Sequence, residues 1–301
     1  MRALVTGATG FIGPHLLKRL ERPVILSRDA DRARRSLAQF NVEAYSWDPL
    51  AGPPPLKAFE GIDAVLHLAG DSVASGRWTA EKKRLIRDSR ELGTRHLVQA
   101  LQQLKNRPSV LVSASATGWY GDRGDEILDE TAQPAHDFLG DVCVAWEREA
   151  QAATELGIRV ACIRTGIVLG REGGALKKLL LPFRLGLGGP LGNGRAWMSW
   201  IHVDDLAAIY VHAAAHSTVS GPLNGTAPNP VTNKQFTKAL AAAVHRPAFL
   251  PVPYFALRLG LGEFAKILFD SQRVLPTATL ASGFQFQYPE IQPALAAIVS
   301  R

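Results

Sequence analysis

Short apolar runs alternate with longer stretches of helical spacing through the first half of the chain. The runs are RALVTG at 2–7, PVILSR at 23–28, VEAYSW at 42–47, DAVLHLAG at 63–70, SVLVSAS at 109–115 and IRVACIRTG at 158–166. Each is a few residues long, without the polar alternation of a half-exposed strand, and most end in glycine or a polar residue. They predict strands buried on both faces. Helical spacing lies between them: Phe11, Leu16, Leu17 and Leu20 after the first run, a long amphipathic stretch over about 79–105, and another over about 137–156. Strands that alternate with helices and are apolar on both sides require a parallel sheet covered on both faces. Right-handed crossovers make it doubly wound.

After Gly166 the regularity fades. Residues 186–200 form a glycine-rich loop with two tryptophans, and 200–216 read as a strand end and a helix packed back on the sheet. Residues 222–228 read as one more strand. Thr232 and Gln235 have capping-box spacing and open a helix. FALRLGLGEFAKILF, broken by Arg258, Glu263 and Lys266, reads as an amphipathic helix rather than a membrane span. The fold class expected is α/β: a Rossmann domain of residues 1–166 plus about 201–226, with a smaller α/β substrate-side domain of about 167–200 and 227–301. The smaller domain is placed over the C-terminal edge of the sheet, where open α/β sheets bind ligands.

Composition narrows the class. In 301 residues, 47% are hydrophobic and 20% charged, enough for a large core and against general disorder. Two cysteines make no disulfide framework, and no zinc spacing occurs. A strand begins almost at the first residue, which leaves no room for a secretory leader, so a soluble cytoplasmic protein is expected. The formal net charge is +7, with basic clusters at 29–35 and 82–90. The second cluster has the helical spacing of a solvated face, and no aromatic RNA-binding signature or basic tail accompanies it, which argues against nucleic acid. An anionic small ligand accounts for part of the charge.

VTGATGFIG places Gly7, Gly10 and Gly13 at GxxGxxG spacing between a strand and a helix. In that context the glycines permit a tight turn and close backbone approach to a pyrophosphate. An NAD site would place an acidic residue at the end of the second strand to hold the ribose 2′-hydroxyl. Ser27 and Arg28 stand there instead, and a guanidinium can pair with a 2′-phosphate. That favours NADP(H), although Asp29 and Asp31 are close enough in sequence to swing in. Arg32 and Arg34 are secondary phosphate candidates.

In order along the chain, GxxGxxG, HLAG, SASATGWYGD, RTGIVLG and WIHVDD resemble the extended short-chain dehydrogenase/reductase superfamily of sugar epimerases and dehydratases. A closer resemblance is to an atypical branch, the "epimerase family" proteins with their own C-terminal domain. HLAGDSVASGRW, FLGDVCVAWE, LPFRLGLGGPLGNGRAWMSWIHVDDL and the tail from PYFALRLGLGEFAK to QRVLPTATLASGFQFQYP carry it, over essentially the whole chain. It implies a Rossmann fold, NADP(H) and a cytosolic location. The branch has no generally assigned reaction, and some members are labelled cell-division inhibitors. By this resemblance Thr9, Gly10, Phe11 and Ile12 line the pyrophosphate, and Leu68, Ala69 and Gly70 pass along the adenosine and the nicotinamide-side ribose. Ser89 and Arg90 face the cofactor. Ser113, Ala114 and Ser115 lie beside the nicotinamide, with Ser115 at the catalytic serine.

Typical members carry Tyr-x-x-x-Lys on the next helix. Here Cys143 and Glu147 occupy those two positions. A carboxylate one turn away opposes thiolate formation, so Cys143 is weighed as an acid or nucleophile against a small buried side chain. Glu147 could accept hydrogen bonds from ribose hydroxyls or form a structural ion pair. Tyr120, Asp122 and His202 are other proton-donor candidates. Arg164, on the cofactor side, and Arg195 could pair with an anionic group, while Trp197, Met198 and Trp200 could wall a substrate pocket. Trp119 fits core or pocket equally well. Asp204 and Asp205 are expected to cap the following helix.

Two functions follow. One is an NADP(H)-dependent oxidoreductase or epimerase-like enzyme acting on a small carbonyl or hydroxyl compound, anionic or sugar-like, such as a nucleotide sugar. The other is a non-catalytic NADP(H)-binding regulator or sensor. Neither requires a membrane, a metal or a nucleic acid. The two long helices could pair across a homodimer.

Overall fold

The computed structural model describes residues 1–300. Seven parallel strands form the central sheet, in the spatial order Gly221–Gly225, Arg159–Thr165, Val110–Ala116, Ala64–His67, Ala3–Thr6, Val24–Ser27 and Glu43–Ser46. Counted in chain order this is 7-6-5-4-1-2-3, a doubly wound Rossmann sheet that reverses direction beside the first strand. The inner strands are buried on both faces, as their unbroken apolar runs require.

Two apolar layers cover the sheet. On one face Leu97, Ala100 and Leu101 of the helix Ala80–Gln103 and Ala150 beyond Glu147 pack on Leu4, Val65, Leu111 and Val160. On the other, Leu206, Ile209, Tyr210 and Ala213 of the helix Val203–Ala215 pack on Val5, Leu66, Val112 and Ile163. The long helix starts where the Thr79 side chain accepts the Lys82 N–H at 3.1 Å. The helix Phe138–Gln151 starts where Asp137 accepts the Gly140 N–H at 2.8 Å. These two helices pack side by side within the molecule.

A separate apolar core lies beyond the strand ends. Leu176 and Phe183 from the helix Gly174–Arg184, Phe236 and Leu240 from Asn233–Val244, and Leu295 and Ile298 from Ile291–Ser300 surround Trp200. The capping box of Thr232 and Gln235 is present.

Several elements differ from the sequence reading. The first helix is only Gly13–Leu17, because Arg19 already bonds three residues back to Leu16 and the ladder tightens. The acidic-basic stretch after Arg28 is a helix, Ala30–Ser36. Gly174–Arg184 is regular despite Pro182, and Ile291–Ser300 is also helical; the low polarity and proline punctuation of both hid their periodicity. FALRLGLGEFAKILF is broken at Gly262, whose φ of +63° suits glycine, giving Tyr254–Leu261 and Phe264–Ile267. No helix among the described residues is long and apolar enough to cross a membrane.

Candidate active site

The glycine turn sits at the sheet's reversal point. Gly7 adopts φ +71°, and a Cβ there would stand 2.8 Å from the Leu68 backbone, so the first and fourth strands can meet only over a glycine. Gly13 is pressed against the Ala8 backbone. A Cβ on Gly10 would meet only the Gly7 carbonyl, at 3.2 Å. Two of the three glycines therefore build the turn, and the middle one keeps its outer side bare. Thr9 and Gly10 are exposed and Ile12 is partly so. The Phe11 ring packs against Gly170, Gly173 and Gly174, locking the turn to the loop after the strand Ile167–Leu169.

A buried network missing from the sequence reading holds this edge. Thr6 Oγ1 lies 2.7 Å from His67 Nδ1, and His67 Nε2 lies 3.0 Å from Thr94 Oγ1. The same Thr6 oxygen accepts the N–H groups of Leu68 and Ala69, at 3.1 and 3.0 Å. Burial pushes the His67 imidazole down to about 4, so it is neutral at physiological pH. The histidine in HLAG, four residues before Asp71, was the available signal.

At the end of the second strand Arg28 is exposed. Asp29 is occupied as the cap of the next helix, accepting the Arg32 N–H at 2.8 Å, and Asp31 pairs with Arg34. Arg34 also donates to the Ala44 carbonyl at 2.6 Å. The acids that could have taken a ribose hydroxyl are committed elsewhere, and the exposed Arg28 guanidinium suits a 2′-phosphate. Ser27 Oγ faces the Asp29 N–H at 3.4 Å. The bare turn and the backbone of Leu68 to Gly70 fit a nicotinamide dinucleotide, with Arg28 exposed at the end of the second strand.

Ser89 does not present a free hydroxyl to a ligand: it accepts the Asp71 N–H at 2.9 Å and donates to the Ile86 carbonyl at 3.2 Å. Arg90 donates to the carbonyls of Asp71 and Ile86, and its guanidinium lies over the Trp146 ring at 4.9 Å and close to Gly70. Burial pushes it below the usual arginine value.

The replaced pair lies behind Ser115. Ser115 Oγ donates to Glu147 Oε1 at 2.6 Å. Arg164, from the adjacent strand, clamps the same carboxylate with Nε at 2.8 Å and Nη2 at 3.0 Å. In register Ser115 faces Arg164 across the two strands, which brings serine, carboxylate and guanidinium together. Arg164 also donates to Tyr120 Oη at 3.2 Å and the Glu130 carbonyl at 3.1 Å, and it lies over the Trp119 ring at 3.7 Å. Tyr120 in turn donates to Asn224 Oδ1 at 2.7 Å. Burial pulls Arg164 down, but the Glu147 pair outweighs it and the net shift is upward. Ser115, Glu147, Arg164, Tyr120 and Asn224 are buried, and Trp119 is half-buried.

Several candidates are thereby corrected. Tyr120 is fully buried and its hydroxyl is spent on Asn224; burial raises it to about 12, so it is a strut rather than a proton donor. Cys143 is buried with Sγ 3.7 Å from the Ala116 carbonyl, and burial first and Glu147 second raise it to about 12, which removes the thiolate reading. Arg164 does not wait for an anionic ligand, since Glu147 already neutralises it. Trp200 is a core side chain whose indole N–H donates to the Asn229 carbonyl at 3.0 Å. His202 is the cap of the helix Val203–Ala215, accepting the Asp204 N–H at 3.1 Å and stacked on Tyr288. Asp204 instead pairs with His15 at 2.7 Å, which holds it at about 2, and Asp205 takes the N–H groups of Gln287 and Tyr288. Asp122 accepts the N–H groups of Gly124 and Ser271. Ser113 is fully buried beside His67 and Cys162 on the neighbouring strands, and Ala114 is buried. Arg195 and Trp197 line a cleft of about 450 Å³ with Asp125, Asn193, Thr232 and Lys234; no residue bonded to Ser115 borders it. Trp197 donates to Asp125 at 2.8 Å and carries the Arg273 guanidinium on its ring. Met198 is paired with Val231 in a short antiparallel ladder.

A doubly wound sheet with a glycine turn at its reversal point and a serine on the fifth strand, backed by the helix that follows, defines an NAD(P)-binding protein of the epimerase and dehydratase type. The chain belongs to the NAD dependent epimerase/dehydratase family, whose model matches residues 3–224, and a Domain of unknown function (DUF1731) matches residues 252–298. It is 40% identical over 305 residues to the Epimerase family protein YfhF of Bacillus subtilis, covering 100% of this chain and 98% of that one. It is also 40% identical to the chloroplastic Epimerase family protein SDR39U1 homolog of Arabidopsis thaliana, covering 99% and 87%. The crystal structure of human epimerase family protein SDR39U1 (isoform2) with NADPH superposes with a TM-score of 0.89 at 34% identity, covering 100% of this chain and 99% of that one.

Proposed function

We propose that this protein is an NADP(H)-dependent oxidoreductase or epimerase-like enzyme in which a Ser115–Glu147 pair, clamped by Arg164, does the proton work of the absent Tyr-x-x-x-Lys. The carrying observation is the 2.6 Å donation from Ser115 Oγ to a carboxylate where the lysine would stand. The exposed Arg28 guanidinium and the human relative's crystal structure with NADPH support the phosphorylated cofactor. Gly7, Gly10 and Gly13 form its turn, with Thr9 to Ile12, Leu68 to Gly70, Ser113 and Ala114 as the backbone beside it. The bound nicotinamide would supply or take up hydride.

With its own proton donated to Glu147, the buried Ser115 Oγ keeps its lone pairs as acceptors. It is therefore set to accept a hydrogen bond from a substrate hydroxyl. During oxidation the hydroxyl proton passes to Ser115 Oγ as the serine proton passes to Glu147 Oε1; during reduction the two transfers reverse. Arg164 fixes the carboxylate plane, and the Trp119 ring and Tyr120 fix Arg164. The group that meets substrate is thus Ser115, and Glu147 acts through it.

The test is Ser115→Ala against a panel of small carbonyl and hydroxyl compounds, including nucleotide sugars, with NADPH or NADP. Turnover falls at least tenfold while cofactor affinity stays within twofold. Undiminished turnover in the variant would remove the serine from the mechanism. A second reading, a non-catalytic NADP(H)-binding regulator, is favoured by the burial of Cys143, which leaves no titratable donor at the usual tyrosine position. It forecasts tight cofactor binding and no turnover of any compound on the same panel.

A further inference from the structure

The helix Tyr254–Leu261 is apolar yet has no buried residue. Phe255 is 67% exposed and Leu259 71%. The helix is nevertheless held firmly. Arg77 donates to the carbonyls of Leu259 and Gly260 at its C-terminal end, Lys83 pairs with Glu263 at 2.5 Å just beyond it, and Val252 bridges to Leu191 just before it. Leu261 packs inward beside Phe264 while Phe255 and Leu259 point outward, so the helix is fixed in place with those two side chains exposed.

Between the helix and the 71–79 loop lies a cleft of about 460 Å³, lined by Arg77, Phe255, Arg258 and Leu259. That volume lies in the range of small-ligand sites. Its lining has two guanidinium groups, two apolar side chains and no acid. Glu263 is taken by Lys83, and the Arg258 side chain has no hydrogen bond or ion pair among the described residues. Trp78 packs on Phe138 and Phe264 in one cluster with Val142 and Leu139, on the helix that carries Cys143 and Glu147. The loop itself begins at Asp71, bonded to Ser89 and Arg90 beside Gly70.

We infer that this cleft takes an amphipathic anion: an acyl or aromatic body lying along Phe255 and Leu259, with a carboxylate or phosphate held by Arg258 and Arg77. The assignment goes beyond the enzyme reading above: it is a ligand site apart from the Ser115 group, none of whose residues lines it. A sugar would gain little from two exposed apolar side chains, and a neutral lipid would leave an unpaired guanidinium beside it. A second copy of the chain seated here through a two-fold axis would bring like charges together.

The experiment titrates full-length protein, saturated with NADPH, with decanoate, decyl phosphate, decanol and acetate below their aggregation thresholds. Calorimetry and quenching of tryptophan fluorescence give the readout. Decanoate or decyl phosphate binds at least tenfold tighter than decanol and acetate, and whichever anion binds tighter identifies the head group. Arg258→Gln, on an exposed side chain, weakens that binding at least tenfold, Phe255→Ser weakens it several-fold, and neither changes NADPH affinity. Decanol binding as well as decanoate, or an affinity untouched by Arg258→Gln, overturns the inference, as does a dimer that Phe255→Ser dissociates and decanoate leaves intact. If NADPH binds and no amphipathic anion does, this inference alone falls. If the anion binds and NADPH does not, the cofactor reading falls instead.

Discussion

Breaking the clamp between Glu147 and Arg164 tests the site's central geometry without a known substrate. Glu147→Gln keeps the shape of the side chain and removes its charge. The carboxylate accepts three charge-assisted or strong bonds, from Ser115 at 2.6 Å and from Arg164 at 2.8 and 3.0 Å. The amide keeps one oxygen and turns an NH2 toward the guanidinium or the serine. Arg164 retains only neutral partners: Tyr120, the Glu130 carbonyl and the Trp119 face. Removing one member of a buried pair costs about 3–5 kcal/mol, because the other charge is stranded. At about 2 °C per kcal/mol for a chain of this size, Tm falls by roughly 6–10 °C. Arg164→Met costs a similar amount. The double variant Glu147→Gln with Arg164→Met buries no charge, so it is less destabilised than the sum of the two singles by about 2 kcal/mol or more. The assay is thermal and urea unfolding of the four proteins at pH 7 without ligand. Additivity within about 0.5 kcal/mol, or a Glu147→Gln variant as stable as wild type, would falsify the buried-pair account. The same geometry answers what restoring Tyr and Lys would do. Glu147→Lys puts an ammonium against Arg164, a repulsion of about 4 kcal/mol at close range in a partly screened interior, so the reinstated pair destabilises the protein unless Arg164 is replaced with it.

Two further outcomes can be measured on the same protein. Arg28→Gln lowers the Tm gain from NADPH and leaves the smaller gain from NADH unchanged; wild-type protein at 100 times the Kd of NADPH gains about 2.7 kcal/mol, and equal losses with both cofactors would separate Arg28 from the 2′-phosphate. The His67 imidazole sits near 4 when folded against an ordinary 6.5, so the unfolded chain takes up the proton first as pH falls. Its contribution is complete above pH 6.5 and is lost between pH 6.5 and 4, about 3 kcal/mol in all, and His67→Gln flattens the stability curve across that window; a curve of unchanged slope would show that His67 is protonated in the folded protein.

The pattern of apolar runs was sufficient for the Rossmann sheet, since strands buried on both faces can only be covered by the helices between them. GxxGxxG specified its own turn, because the Gly7 φ and the packing of Gly13 are properties of residues adjacent in sequence. Ser27 and Arg28 stood out as a departure from an acidic residue, and the family resemblance showed Cys143 and Glu147 standing where typical members carry Tyr and Lys. What Glu147 does was decided in three dimensions. Its partner Arg164 is 17 residues away on the strand that follows the helix, placed opposite Ser115 only by parallel register. The Tyr120 hydroxyl likewise changed from donor candidate to strut through Asn224, 104 residues on. Trp200, Asp204 and Asp205 read as site or cap residues locally, yet burial, the distant His15 ring and the distant N–H groups of Gln287 and Tyr288 set their roles, while the cap fell to His202. The apolar helix at 254–261 has amphipathic spacing in sequence, but spacing cannot say whether anything covers its apolar face. Local chemistry fixes turns and periodic elements; the pairing of charges across strands, and which apolar face remains open, depend on how those elements pack.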